Sequence, residues 1–223
     1  MRRRAESPSS IAIYCECPRR YAFKYVEKLP DPMGPAAALG QAFHSMAYET
    51  WHLQDIGNCE DPLVCKMLRA MYDHHDVKAL PHSQLEEGKT CEYQLKADLG
   101  NQTLFGYVDL LLDDVQYAVD FKTSGRPWTK EKVEEQQQHL AYTLGLREIG
   151  RSEVKRFLYI VVTTNKNPQC QVITLDVTPE AVQGYRDKFL GAVDMIELDL
   201  FPATPCNACR WCPWKNLCPA YKK

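Results

Sequence analysis

The chain has 223 residues, 45% of them hydrophobic and 25% charged, with a formal net charge of −2. That length can bury a full core as one domain with a small appendage, and no apolar run approaches a membrane span. The charge excludes a nucleic-acid binder that works by a strongly basic whole surface, though not one with a local basic patch, because carboxylates gathered around metals also lower the total.

Met1, Arg2, Arg3, Arg4 and Ala5 lack the apolar stretch of a secretory signal, so a cytoplasmic location is expected. Thiols stay reduced there, and clustered cysteines favour metal over disulfides. Candidates for a basic patch are Arg2, Arg3 and Arg4; Arg19, Arg20 and Lys24; and Arg126, Lys130 and Lys132. Each is read first as a solvated face.

Ser7, Ser9 and Ser10 around Pro8 give N-cap signals ahead of Ile11, Ile13 and Tyr14. They predict a short helix, interrupted at Pro18 and followed by a second helical piece over 19–25. Residues 31–35 read as a loop. Leu39, Phe43, Met46 and Ala47 have helical spacing and predict a helix over 36–54, with another over 62–77. Strands follow over 91–99, 103–112 and 116–121. Next comes a helix over 130–149, which Gly145 and Gly150 weaken or end, then strands over 154–163 and 170–177. Thr178 as N-cap and Pro179 at the first helical position open a final helix. The order argues for an α/β protein, a mixed sheet with helices on its faces and a cysteine-rich tail.

Two strands carry the chemistry. Asp109 lies on the second, Asp120 and Lys122 at the end of the third. Residues two apart share a strand face, and a meander can set Asp109 beside Asp120. Two carboxylates in one pocket call for a cation, and oxygen donors suit Mg2+ or Mn2+. Such a metal activates water and stabilises a phosphate in transition, with Lys122 orienting the water or neutralising charge. Taken alone, an Asp-x-Lys is a common surface pattern. His44 on the first long helix is a reasonable extra ligand. Gln138 and Tyr142, four apart, share a helix face that can look onto the sheet end carrying Lys122. Glu49 reads as a surface residue.

The tail holds Cys206, Cys209, Cys212 and Cys218 within thirteen residues, a spacing that suits zinc or an iron–sulfur cluster. Trp211 and Trp214 read as packing against such a centre, with base stacking as the alternative. Cys59, Cys65, Cys91 and Cys170 read as isolated thiols.

These residues fall in an order that resembles the RecB-type nucleases of the PD-(D/E)xK superfamily, in the branch with an iron–sulfur cluster. That branch includes the CRISPR-associated adaptation exonuclease and the AddB nuclease domain. Ser9 through Cys17, Pro18, Arg19, Arg20 and Tyr21 look like its N-terminal cysteine motif, and Gly40 to His44 its histidine motif. Gly106 to Asp109 and Val119 to Thr123 resemble its metal motifs. Gln138 to Tyr142 resembles its glutamine–tyrosine motif, and Cys209, Cys212 and Cys218 its last three cluster ligands.

The resemblance implies a restriction-endonuclease-like mixed sheet flanked by helices, in one domain over 1–223. Segments 1–30 and 200–223 would form an appendage joined by a cysteine-ligated cluster. It implies metal binding by His44, Asp109, Asp120 and the Phe121 carbonyl, a catalytic role for Lys122, and catalytic support from Gln138 and Tyr142. For the cluster it implies a 4Fe–4S centre on Cys17, Cys209, Cys212 and Cys218, with Cys206 spare, Cys15 able to substitute for Cys17, and Zn2+ as the alternative metal. The activity implied is that of a Mg2+- or Mn2+-dependent DNA exonuclease on single-stranded or frayed ends. The alternatives are an idle nucleic-acid-binding module and an RNA-processing nuclease. Phage recombination, DNA repair and CRISPR adaptation all use the scaffold. No helicase motif is present, so a helicase or recombination or adaptation proteins are the expected partners, and no membrane.

Overall fold

The computed structural model describes residues 5–81, 91–112, 116–151, 154 and 156–221. Arg2, Arg3 and Arg4 and the side chain of Cys91 lie outside that description.

After a two-residue strand β1 (Ala5–Glu6), Ser7 caps α1 (Pro8–Glu16). Its hydroxyl accepts from Ser10 N–H, and the Ser10 hydroxyl accepts from Ser7 N–H. Cys17 is extended (φ −157°), as the residue before a proline prefers, and α2 (Pro18–Tyr21) restarts into a π-helical turn over Ala22–Val26. The expected interruption at Pro18 is therefore present. The predicted helix over 36–54 is α3 (Pro35–Thr50). The one over 62–77 is broken into α4 (Pro62–Tyr72) and α5 (His75–Lys78), with the His74 ring capping Asp76 N–H.

Three strands follow: β2 (Cys91–Leu99), β3 (Gln102–Leu112) and β4 (Tyr117–Ser124). The last runs past Phe121, so Lys122 lies inside the strand rather than at its end. The predicted helix over 130–149 is two helices, α6 (Lys130–Glu134) and α7 (Gln138–Glu148). One distant and one local contact mark the break: Lys188 Nζ donates to Gln137 Oε1 at 2.6 Å, and Gln136 Nε2 turns back to Lys132 O. Gly145 lies within α7 and does not end it. Strands β5 (Arg156–Thr163) and β6 (Cys170–Asp176) precede α8 (Pro179–Glu197), capped by Thr178 as expected. A 3-10 turn, Asn207–Trp211, lies in the tail.

The six strands form one mixed sheet. One edge of β3 pairs antiparallel with β2. Its other edge is divided. β1 runs parallel to its start (Glu6↔Leu104), and β4 pairs antiparallel only with its end, from Leu112↔Tyr117 to Leu110↔Val119. β4 runs parallel to β5 along its whole length, and β5 antiparallel to β6.

Both faces are covered. Phe157, Tyr159 and Val161 join residues of α1, α7 and α8 in one core. Leu158, Ile160 and Val162 join residues of α3 and α4 in the other. This double burial explains the continuous apolar run of β5. Among the described residues, no helix is long and apolar enough to cross a membrane.

Candidate active site

β3 and β4 stop pairing at Leu110↔Val119, and Asp109 and Asp120 are the next residues on the two strands. The split is closed by a side chain: Asp109 Oδ2 accepts from Phe121 N–H at 2.6 Å, where a ladder bond would otherwise continue. Asp109 Oδ1 accepts from Tyr48 OH at 2.6 Å. On α3, Tyr48 lies one turn beyond His44, whose Nδ1 is 3.2 Å from Tyr48 OH and 3.6 Å from Asp109 Oδ2. Lys122 pairs with Asp120 Oδ2 along β4. The structure thus gathers His44, Asp109, Asp120, Phe121 and Lys122 at one place.

Two glycines let the walls close. A Cβ on Gly40 would lie 3.0 Å from Thr123 Oγ1, so α3 runs against β4 just beyond Lys122. A Cβ on Gly106 would lie 2.9 Å from Tyr142 Cε1.

Burial separates floor from rim. The side chains of Asp120 and Asp109 are 2% and 9% exposed, against 27% for His44 and 24% for Lys122. Burial pushes the Asp120 carboxyl up to about 6, with the Lys122 charge opposing and the Asp109 charge adding. Burial also pushes Asp109 up, but the hydrogen bond and charge of His44, the Lys122 charge and the Tyr48 hydrogen bond together hold it below its usual range. Burial, then the Asp109 charge, raises Tyr48 so far that it stays a donor.

Apart from the Lys122 ammonium, Asp120 Oδ2 has no hydrogen-bond partner among the described residues. Two buried carboxylates offer hard oxygen donors that fit Mg2+ or Mn2+, and the His44 imidazole beside them is a borderline nitrogen donor. The candidate ligand atoms are spread. Among the described residues, the trio whose ligand atoms all lie within 4.8 Å is His74, His75 and Asp76, mostly exposed at the start of α5. Tyr48 and the Phe121 N–H engage Asp109, and Lys122 engages Asp120.

Gln138 and Tyr142 do share a face, joined by Gln138 Nε2 donating to Tyr142 OH at 2.8 Å. The Tyr142 ring lies against Gly106 and Phe157, on the sheet face to which Asp120 and Lys122 also belong, since Val119 and Phe121 between them are in the opposite core. Burial, followed by the charge of Asp120, raises the Tyr142 hydroxyl. Sequence reasoning missed Tyr48, although its i+4 spacing from His44 was available. It also missed Glu92, whose neighbours pair as Cys91↔Leu110 and Tyr93↔Val108, so that it stands opposite Asp109 with a left-handed backbone (φ 51°). Glu49 is exposed, as expected.

At the far ends of the chain, Cys17, Cys206, Cys209, Cys212 and Cys218 line one hollow with Arg19, Arg20 and Lys215. The tail is tied to the N-terminal segment without any metal: Arg19 N–H donates to Pro202 O (3.1 Å), Tyr14 OH to Leu200 O (2.8 Å) and Trp214 Nε1 to Pro30 O (3.0 Å).

Cys206, expected to be spare, lines the hollow as a fifth thiol. The structure corrects three expectations. Cys15 faces a different groove, with Gln137 and Lys188, because adjacent turns of α1 point it away from Cys17. The two tryptophans differ: Trp214 is 4% exposed against Phe23, whereas Trp211 is 76% exposed. Cys59 and Cys65 are not isolated, since Cys65 Sγ donates to Cys59 O at 2.9 Å.

The family model described as "PD-(D/E)XK nuclease superfamily" matches residues 5–219. Among solved structures, the chain is similar to one described as "Putative exonuclease" from Eubacterium rectale. The identity is 14% and the TM-score 0.62, over 92% of this chain and 86% of that one. It is also similar to SSO0001, with 11% identity and a TM-score of 0.57 over 100% of this chain and 90% of that one. At these identities the likeness speaks for the fold. No curated protein matches the chain.

Proposed function

The chain belongs to the PD-(D/E)XK nuclease superfamily, and on that footing we propose that it is a metal-dependent DNA exonuclease acting on single-stranded or frayed ends. The observation that carries the reading is the convergence of His44, Asp109, Asp120 and Lys122 where β3 and β4 diverge. His44, Asp109, Asp120 and the Phe121 carbonyl would hold Mg2+ or Mn2+. Such an ion supplies charge stabilisation for the phosphate and lowers the pKa of water.

The remaining work falls to the chain. Asp109, held ionised by His44 and Tyr48, keeps the ligand charge in place. Lys122 sits at the rim with its ammonium next to Asp120, where it orients the attacking water and offsets charge on the phosphate. Gln138 and Tyr142 support the acids from the α7 side of the sheet, where Tyr142 packs on Gly106 with its hydroxyl held by Gln138 and within reach of the Asp120 and Asp109 charges.

For the thiol hollow, we propose a 4Fe–4S cluster on Cys17, Cys209, Cys212 and Cys218. The family resemblance and the meeting of Cys17 with the three tail thiols in one hollow support the cluster, and Zn2+, which four thiolates also suit, is the alternative. Arg19, Arg20 and Lys215 around the hollow offset thiolate charge. A cytoplasmic setting keeps those thiols reduced. DNA is the partner proposed, with a helicase or recombination or adaptation proteins supplying any unwinding.

Anaerobic purification with an absorption spectrum and iron assay, then digestion of end-labelled single-stranded DNA in Mn2+ with and without chelator, tests the reading. A brown protein that trims DNA from an end supports it. DNA binding without cleavage would turn it into a binding module, preference for RNA of equal length would make it an RNA nuclease, and a colourless zinc protein would remove the cluster.

A further inference from the structure

The hollow between the chain's two ends holds one thiol more than a four-thiolate centre uses. Cys206 occupies the N-cap of the 3-10 turn in an extended conformation (φ −150°, ψ 176°). Its N–H donates to Cys209 Sγ at 3.4 Å. Cys209 N–H also donates to Cys206 O at 3.1 Å. Cys209 is the thiol close enough for its charge to act on Cys206. Cys212, in contrast, has Cys17 and Cys209 as its sulfur neighbours. The extra thiol therefore stands beside one particular member of the set, Cys209, and is turned into the same hollow.

We propose that Cys206 is a reserve ligand of the cluster site, able to hold the iron that Cys209 holds. The inference rests on the iron–sulfur reading above. In the exchange, the bond from Cys209 Sγ to iron breaks and Cys209 takes up a proton from water. The Cys206 thiol gives its proton to water and its sulfur bonds the iron, with no change in oxidation state. The 3-10 turn fixes the two sulfurs three residues apart at one end of the hollow, so the swap leaves Cys17, Cys212 and Cys218 where they are.

The test is anaerobic reconstitution of the purified full chain, scored by iron per chain and visible absorption. Cys206→Ser, which keeps the backbone N–H and a capping oxygen but loses the thiolate, should bind iron as the wild type does. Cys209→Ala should keep most of its iron. The double variant Cys206→Ser/Cys209→Ala should fall about tenfold or more, and so should Cys212→Ala alone. In the loaded wild type Cys206 should react with iodoacetamide; in loaded Cys209→Ala it should be protected. The proposal is overturned if Cys209→Ala is as empty as the double variant, or if Cys212→Ala retains iron equally well. Gel filtration and far-UV circular dichroism accompany each sample, and Cys209→Ser replaces the alanine variant should that one misfold; failure of both to hold iron also overturns it. A wild-type chain that takes up no iron would instead bring down the cluster reading itself.

Discussion

The acid pocket and the thiol hollow are the two places where we propose inorganic groups, and they are held in different ways. The pocket's residues stand on α3, β3 and β4, and most are already engaged: Asp109 by Tyr48 and the Phe121 N–H, Asp120 by Lys122. The hollow's thiols stand on turns and at the α1–α2 junction, with few partners except one another. A site on regular structure therefore keeps its geometry without its ion, whereas a site on irregular chain ends draws much of its order from what it binds.

The most severe trial of that contrast is Lys122→Ala. It should lower cleavage about 100- to 1,000-fold, with circular dichroism and brown colour unchanged, because Asp120 answers by taking up a proton. Loss of colour in that variant would mean the two sites are not independent. Next in size is removal of the cluster. Iron chelation or Cys212→Ala should destabilise the tail by several kcal/mol, on a scale of ~10 for metal-coupled folding, leaving a protease-sensitive tail beyond 200 and an intact core. Equal proteolysis of core and tail would show that the ends are needed for the whole fold.

Gly106→Ala tests the packing of Tyr142 on β3 beside the pocket. Its Cβ would meet Tyr142 Cε1 at 2.9 Å, and such overpacking should cost about 1–3 kcal/mol by denaturant titration; Tyr142→Phe should recover none of it, since the clash is with the ring. Tyr48→Phe removes one hydrogen bond to Asp109 and should cost about 1.5–3 kcal/mol, with a drop in turnover smaller than that of Lys122→Ala. The mildest effect is with pH. Asp120, raised from 3.8 to about 6, must lose its proton to serve as a ligand, so cleavage at limiting Mg2+ should rise through pH 6. Stability has the opposite sign: the metal-free fold favours the protonated acid, so this contribution is full below pH 3.8 and lost as pH rises through 6. Excess Mg2+ should move the activity midpoint downward.

Much of the fold could be read from the chain. Ser7 with Pro8, Pro18, Thr178 with Pro179 and the apolar run of β5 each carry a local signal that the structure repeats. The misreadings have different causes. At Gln136 and Gln137 a weak local signal, Gln136 turning back to Lys132, is joined by Lys188 from far along the chain. At Asp73 and His74 the signal is local but carried by an unusual cap, the His74 ring accepting from Asp76 N–H. Trp211 and Trp214 look alike in sequence, and only the place of Pro30 and Phe23 decides which is buried.

Residue types, spacing and local backbone preference are written in the chain, and they were enough for a mixed sheet, acids on neighbouring strands and thiols in the tail. Tertiary packing alone made β3 and β4 separate immediately after Leu110↔Val119, set Tyr48 to lock Asp109, and brought Cys206 to Cys17 from the other end of the chain. Those outcomes depend on contacts between segments distant in sequence, where a difference of an ångström or one turn of helix selects the partner and no short pattern records it.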